Sequence, residues 1–216
     1  MLLETREAAP FHKNGYVLAC GETREGVLID PGDEVDQLLR VVAEQRLVVR
    51  WILLTHAHVD HVSGTAKAKA ATLAPVCLHR DDLPLYAAAA DQGAFFGFDI
   101  EAPPPVDRFY DPSAPIEFGT FAIRVLHTPG HTPGGVSLLV GPAGAAGTKV
   151  FVGDTLFAGS IGRTDLPGGD YDTLVGSIRN VLLALPDEVE VYAGHGPATT
   201  IGRERRTNPF LRDPVR

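Results

Sequence analysis

The run Thr55-His-Ala-His-Val-Asp-His61 places three imidazoles and a carboxylate within one short stretch of the chain. Burying these groups together is costly unless each finds a partner, and a divalent metal ion satisfies several of them at once. The preceding residues 51–54 are an apolar run of strand length, so His56 is expected where a buried strand ends. Ligands collect at this carboxyl edge in open α/β sheets. The run therefore predicts a metal site rather than a solvated polar loop.

Three later apolar runs of strand length are also followed, after a small residue or a short turn, by a residue that can bind metal. These are His131 after residues 121–126, Asp154 after residues 149–153, and His195 after residues 189–193. One such residue alone would carry little weight. Four strand ends with the same pattern argue against coincidence.

The seven candidate ligands are too many for one tetrahedral zinc ion, which takes four ligands. They divide between two metals: His56, His58 and His131 for the first, Asp60, His61 and His195 for the second, and Asp154 as the bridge. Two metals about 3.5–4 Å apart hold a hydroxide between them and lower its pKa towards neutrality. Two zinc ions are expected, although these ligands also accept iron or manganese.

Taken together, these motifs resemble the metallo-β-lactamase-fold superfamily and, within it, the glyoxalase II (hydroxyacylglutathione hydrolase) group. The similarity runs from Asn14-Gly-Tyr16 to residues 196–200 and includes all seven ligand positions. It implies an α/β fold, a four-layer αββα sandwich formed by a single domain over residues 1–216, with the metals at one sheet edge. It also implies a thioesterase that cleaves S-D-lactoylglutathione or a related thioester with the metal-bridging hydroxide. In that reaction Asp60 would both bind the second metal and orient the hydroxide.

The segment Gly159-Ser-Ile-Gly-Arg-Thr-Asp-Leu-Pro-Gly-Gly169 follows Asp154 and is expected to contact substrate. Its glycines permit close approach of the backbone to a ligand, and Arg163 can form two parallel hydrogen bonds with a substrate carboxylate. The alternative is a surface loop in which Arg163 and Asp165 pair with each other or with solvent. The corresponding loop of glyoxalase II usually carries a lysine and a tyrosine, whereas Arg163-Thr-Asp165 is more similar to persulfide dioxygenases. The chain is most similar to the short bacterial glyoxalase II type, in which sequence defines the substrate poorly.

Two further functions remain open at this stage. Persulfide dioxygenases bind one iron through two histidines and an aspartate, which here would be His56, His131 and Asp154. A metal-binding or ligand-sensing module without catalysis is the other alternative, although the complete ligand set argues against it.

Composition and charge limit the classes of partner that we expect for this protein. The chain has 19 basic and 27 acidic residues, a formal charge of −8, which disfavours a nucleic-acid surface. Cys20 and Cys77 lie in apolar surroundings and are expected to be reduced core residues. The early charges disfavour a signal peptide, and no apolar run approaches the ~20 residues that span a membrane. We therefore expect a cytoplasmic enzyme with a small-molecule thioester substrate, such as a glutathione conjugate, and no membrane partner; the oligomeric state stays open.

The hydrophobic pattern also predicts individual elements. Strands are expected at residues 26–30 and 75–79, and helices at residues 65–71 and 81–90. Asp33 is expected to cap a helix that contains Val35, Leu38, Leu39 and Val42. The apolar stripe from Tyr171 to Leu185 is expected to be core packing. For Phe95-Phe96-Gly-Phe98 there are two interpretations, the wall of a substrate pocket or a cover over core beneath a loop.

Overall fold

The computed structural model describes residues 1–211, so residues 212–216 of the predicted domain lie outside it. The described chain contains two six-stranded sheets and one small hairpin. The first sheet contains, in order, β1 (Leu2–Ala8), β2 (Lys13–Ala19), β3 (Glu25–Ile29), β4 (Val48–Leu53), β5 (Val76–Leu78) and β6 (Arg108–Phe109). Its strands are antiparallel from β1 to β3 and parallel from β3 to β6.

The second sheet also has six strands. Its strands are β7 (Ile116–Phe118), β8 (Phe121–His127), β9 (Val136–Pro142), β10 (Lys149–Gly153), β13 (Glu190–Ala193) and β14 (Thr199–Thr200). Only the pair β10 and β13 is parallel. The hairpin of β11 (Leu156–Phe157) and β12 (Ser160–Ile161) follows β10.

Alternation along the strands explains the layering, because successive side chains of a strand point to opposite faces. On β2, Tyr16 and Leu18 pack between the two sheets, whereas Val17 packs beneath the helices. The inter-sheet core takes Ile123 and Phe151 from the second sheet. Both faces of each central strand are therefore buried.

Helices cover the two outer faces. The first sheet is covered by α1 (Val35–Glu44), α2 (Val59–Val62), α3 (Thr65–Thr72), α4 (Leu83–Ala87) and α5 (Ala89–Phe95). The second is covered by α6 (Tyr171–Ser177), the π-helical turn Ile178–Leu182 and α7 (Ile201–Thr207). This is the predicted αββα sandwich, and it confirms the fold class.

Two of the predicted helix details are wrong. Asp33 does not cap α1, because its carboxylate accepts a hydrogen bond from Ser63 Oγ at 2.8 Å, and the residue before the helix is Glu34. The helix expected at residues 81–90 is instead a 3-10 turn at Arg80–Asp82 followed by α4 and α5, with a break at Ala88. In the stripe, Leu174, Ile178, Leu182 and Leu185 are buried as predicted, whereas Tyr171 is half exposed.

Both cysteines are buried and free, with Cys77 in the inter-sheet core. Among the described residues, no helix combines the length and apolar character needed to cross a bilayer.

Candidate metal centre

The seven predicted ligands converge at one edge of the sandwich. The run at residues 56–61 begins after β4 and continues into α2, and His131 lies in the turn between β8 and β9. Asp154 directly follows β10, and His195 follows β13. The chain therefore brings ligands from both sheets together.

Three imidazoles form the first group. His56, His58 and His131 each place one ring nitrogen within 4.8 Å of the others. His58 Nδ1 and His131 Nε2 are 2.9 Å apart. All three side chains are buried, so this group is shielded from bulk water.

The second group consists of Asp60, His61 and His195, again with ligand atoms within 4.8 Å. Asp60 Oδ2 lies 3.1 Å from His195 Nε2 and 3.6 Å from His61 Nε2. Asp154 lies between the groups: its Oδ2 is 3.7 Å from His131 Nε2, and its Oδ1 is 3.3 Å from His61 Nε2. Asp154 thus has the position expected of a bridging carboxylate.

These distances fit tetrahedral metal ligation. At a Zn–N distance of about 2.0–2.1 Å, two ligand atoms of a tetrahedron are about 3.3 Å apart. His56 Nε2, His61 Nε2 and Asp154 Oδ1 are buried and have no hydrogen-bond partner among the described residues. Unpartnered buried polar atoms are costly, and a metal at the centre of each group would satisfy them.

Hydrogen bonds on the far side of each ring set the tautomers. His61 Nδ1 donates to Asp30 Oδ2 at 2.9 Å, and His131 Nδ1 donates to the carbonyl of Arg163 at 2.8 Å. Thr55 Oγ1 donates to Asp30 and lies 3.2 Å from His56 Nδ1, so it accepts from that nitrogen. In these three rings Nδ1 makes the outer hydrogen bond, so Nε2 is the nitrogen that would bind a metal, as in many metal sites.

The charges of the site match this arrangement. Burial lowers the pKa of His56, and it lowers the pKa of His58 to about 4, so both rings are neutral at pH 7. Burial also disfavours protonated His61, but the carboxylates of Asp60, Asp154 and Asp30 outweigh it and raise the pKa of His61 to about 10. Without a metal His61 is therefore protonated at pH 7, and a divalent cation beside its Nε2 would take the place of that proton among the carboxylates.

Backbone packing brings His195 close to the other ligands. An added Cβ at Gly194 would lie 2.2 Å from Asp154 Oδ1 and 2.6 Å from His61 Cε1, so only glycine permits this approach. Asn14 holds the same turn, because its Nδ2 donates to the carbonyls of Ala193 at 3.1 Å and Gly196 at 2.9 Å.

Asp30 supports the second group and was missed from the sequence. Its buried carboxylate accepts hydrogen bonds from the backbone N–H of Thr55 at 2.7 Å, from Thr55 Oγ1 at 2.6 Å and from His61. The sequence did contain a signal, because Asp30 directly follows strand β3, just as Asp154 directly follows strand β10.

Asp82 supports the first group and was also missed. Its carboxylate accepts hydrogen bonds from Ala57 N at 3.0 Å, Thr132 Oγ1 at 2.8 Å and Gly134 N at 2.6 Å. It thereby joins the loop of His58 to the loop of His131. Its sequence neighbourhood indicates only the acidic first turn of a helix, so no local signal distinguishes it from Asp81.

We expect Asp82→Asn to lower the free energy of unfolding by about 1–3 kcal/mol, because an amide NH₂ would face one of three buried donors. Asp81→Asn is the matched control, since the side chain of Asp81 is 55% exposed and its replacement should change stability by no more than about 0.5 kcal/mol. Urea denaturation of both variants measures the difference. Equal stabilities would show that Asp82 does not join the two loops energetically.

A cavity of about 590 Å³ opens over the ligands. His58, Asp60, His131, Asp154 and His195 line its floor. Its walls are formed by Phe11, Val59, Leu85, Ala88, Asp91, Gln92, Phe95, Phe96, Arg163, Leu166 and Pro167. Phe95 and Phe96 therefore lie at the pocket, which favours the first of the two interpretations of the phenylalanine cluster.

Arg163 reaches the pocket, but its guanidinium is already paired. Nε and the NH2 nitrogen each donate to Asp165 at 2.7 Å, on the exposed surface of the loop. The pairing of Arg163 with Asp165, which the sequence left as an alternative, is thus present. The backbone carbonyl of Arg163 has a separate role, because it accepts the hydrogen bond from His131 Nδ1.

The remaining histidines lie apart from the seven. His79 and His127 stack with ring centroids 4.2 Å apart, and His127 Nε2 donates to the carbonyl of Pro133 at 3.0 Å. His12 pairs with Glu7 on the surface.

Comparison with known proteins agrees with this architecture. The sequence pattern of the metallo-beta-lactamase superfamily matches residues 8–195. A protein of Haemophilus influenzae named hydroxyacylglutathione hydrolase GloC is 39% identical over 214 residues, which cover 98% of each chain.

The chain is also similar to several solved structures. The chain is similar to BLEG-1 B3 metallo-beta-lactamase, with a TM-score of 0.87 and 37% identity over 97% of this chain and 99% of that one. TTHA1623 in a di-iron-bound form gives a TM-score of 0.84 and 44% identity over 96% and 100% of the two chains. ETHE1 from Myxococcus xanthus gives 0.77 and 30% identity over 97% and 84%. With the family pattern matched over most of its length, the chain belongs to the metallo-beta-lactamase superfamily.

Proposed function

We propose that this protein is a two-metal hydrolase that cleaves thioesters, in the manner of glyoxalase II. The observation that carries the proposal is the pair of three-residue ligand groups with Asp154 between them. His56, His58 and His131 would hold the first metal, and Asp60, His61 and His195 the second. Two divalent ions in such a site supply a hydroxide at neutral pH and polarise a carbonyl oxygen.

The protein's own groups would orient the reactants. Asp60 lines the cavity, and its side chain is 14% exposed, so it can accept a hydrogen bond from the attacking water. Asp60 Oδ2 lies 3.1 Å from His195 Nε2, so these two atoms are close enough to hold the same metal. The buried imidazoles and the apolar walls limit competing water. No serine or cysteine nucleophile is needed.

Arg163 is the proposed contact for a carboxylate of the substrate. Among the lysines and arginines of the described chain, Arg163 alone lines the cavity. Binding would exchange its exposed pair with Asp165 for a pair with the substrate, which costs little because exposed ion pairs contribute roughly 0–1 kcal/mol. Since the Haemophilus influenzae relative is named a hydroxyacylglutathione hydrolase, S-D-lactoylglutathione is the first substrate to test.

The first experiment is metal analysis of protein purified without chelator. We expect two metal ions per chain, loss of S-D-lactoylglutathione hydrolysis after chelation, and recovery on adding back zinc, iron or manganese. Iron is included because TTHA1623 was solved in a di-iron-bound form. Full hydrolysis by metal-free protein would contradict the proposal.

The second candidate is a one-iron persulfide dioxygenase, which the similarity to ETHE1 favours. Its iron would use His56, His131 and Asp154. That assignment leaves the ligand atoms of Asp60, His61 and His195 close together without a cation, which is why we place it second. One iron per chain, with oxygen uptake on addition of glutathione persulfide, would move it to first place.

A further inference from the structure

The cavity over the metal centre has an apolar wall that the reaction itself does not require. Phe95 and Phe96 stand at the end of α5, with 84% and 48% of their surface exposed. Phe11 and Leu85 line the same cavity. Large apolar side chains that are exposed together in this way commonly mark a surface that binds a ligand.

Contacts with neighbouring side chains and between helices hold the apolar wall in place. Phe11 contacts Phe98 edge to face, with ring centroids 5.0 Å apart, and Phe95 contacts Phe96 in the same manner at 5.2 Å. Gln92 Nε2 donates to the carbonyl of Leu85 at 2.7 Å, which joins α5 to α4. Phe11, Leu85, Phe95 and Phe96 thus line one cavity from fixed positions.

Charge is distributed unevenly around the cavity. Arg163 comes from the loop that follows β12, whereas Phe95 and Phe96 come from the end of α5, the helix that also places Asp91 at the cavity. A thioester has two arms that extend from its carbonyl. If Arg163 receives a carboxylate on the thiol arm, the wall of Phe95 and Phe96 is left for the acyl arm, and Asp91 disfavours an anion there.

We propose that the preferred substrate carries an apolar acyl group larger than lactoyl, such as a medium-length alkyl or an aryl chain, which packs against Phe11, Leu85, Phe95 and Phe96. This inference rests on the proposed thioesterase function. It concerns the acyl arm alone, so it is compatible with glutathione or another thiol as the leaving group.

The test is a series of thioesters with one thiol, N-acetylcysteamine, and acetyl, D-lactoyl, butanoyl and hexanoyl as acyl groups. Burial of a methylene is expected to raise kcat/KM about twofold to fourfold. Hexanoyl has four methylenes more than acetyl, so its kcat/KM should exceed that of acetyl by about 16- to 250-fold, and it should also exceed that of lactoyl. Equal values along the series, or a preference for lactoyl, would overturn the inference while the thioesterase function stood.

The double variant Phe95→Ser/Phe96→Ser tests the wall directly. We expect the kcat/KM values for hexanoyl and acetyl to come within about threefold of each other, because the apolar surface for the acyl group is lost. The variant should still fold, since both side chains already contact water and their loss should leave the core packed. Phe210→Ser is the matched control, since Phe210 is 43% exposed and does not line the cavity. An unchanged ratio in the double variant would overturn the inference.

Binding of the acid products gives a readout without turnover. Calorimetry of the metal-loaded protein should show hexanoate binding at least ~10-fold more tightly than acetate, with a negative heat-capacity change. Equal affinities for hexanoate and acetate would contradict the proposed binding of the acyl group to the apolar wall. Failure to hydrolyse any thioester of the series would overturn the proposed function, and this inference with it.

Discussion

Replacing Asp154 with asparagine should lower kcat/KM for thioester hydrolysis by at least ~100-fold, equivalent to about 2.7 kcal/mol of transition-state stabilisation. The carboxylate has one oxygen towards His131 and the other towards His61, at 3.7 and 3.3 Å. An amide keeps the shape but presents an NH₂ group to one side, and this group cannot ligate a metal. Burial disfavours the charged form of Asp154, but nearby His61 and His131 outweigh it and lower the pKa, so the carboxylate is charged at pH 7.

The measurement pairs steady-state kinetics with the metal content of each variant. His58→Ala should cause a similar loss, because it removes a ligand from the first group alone. Asp172→Asn serves as the control, since Asp172 is exposed in the first turn of α6 and does not line the cavity, and it should retain full activity. Unchanged turnover by an Asp154→Asn protein that holds both metals would remove Asp154 from the mechanism.

The convergence of the seven candidate ligands could be predicted from the sequence, because the candidates follow apolar runs of strand length. Strand β8 at Phe121–His127 and strand β13 at Glu190–Ala193 lie where the pattern predicts them. Strand β10, which precedes Asp154, is buried on both faces from Val150 to Gly153, which makes its apolar run easy to recognise. The residue after it then lies at the sheet edge where ligands collect.

The residues that hold the candidate ligands in place were harder to predict from the sequence. Asp82 joins two loops through hydrogen bonds to residues 57, 132 and 134, and no local pattern encodes contacts at such separations. The break at Ala88 was hidden for a related reason. Alanine is the best helix former, so the run at residues 87–90 predicts an uninterrupted helix, and tertiary packing decides otherwise.

The ion pair of Lys13 and Glu34 is another long-range contact that was not predicted from the sequence. Both side chains are 1% exposed, and Lys13 Nζ lies 2.7 Å from Glu34 Oε1. Lys13 also donates to the backbone carbonyl of Asp30, and Glu34 accepts from Gly32 N at 2.9 Å. The pair thereby holds the turn that presents the carboxylate of Asp30 to His61.

We expect Lys13→Met to lower the free energy of unfolding by about 3–5 kcal/mol, because it leaves the carboxylate of Glu34 buried without its cation. Lys67→Met is the matched control. The pair of Lys67 and Asp36 is more than half exposed on both sides, and exposed pairs contribute roughly 0–1 kcal/mol. Urea denaturation of the two variants should therefore separate a buried ion pair from an exposed one.

A second variant distinguishes the unpaired charge from the lost packing of the lysine chain. Lys13→Met/Glu34→Leu removes both charges, so it should be at least ~1 kcal/mol more stable than Lys13→Met, since apolar pairs often replace buried ion pairs without loss. If the double variant were instead less stable, the hydrogen bond from Gly32 to Glu34 would outweigh the cost of the unpaired carboxylate. If Lys13→Met cost no more than Lys67→Met, the buried pair would not be what holds Asp30 against His61.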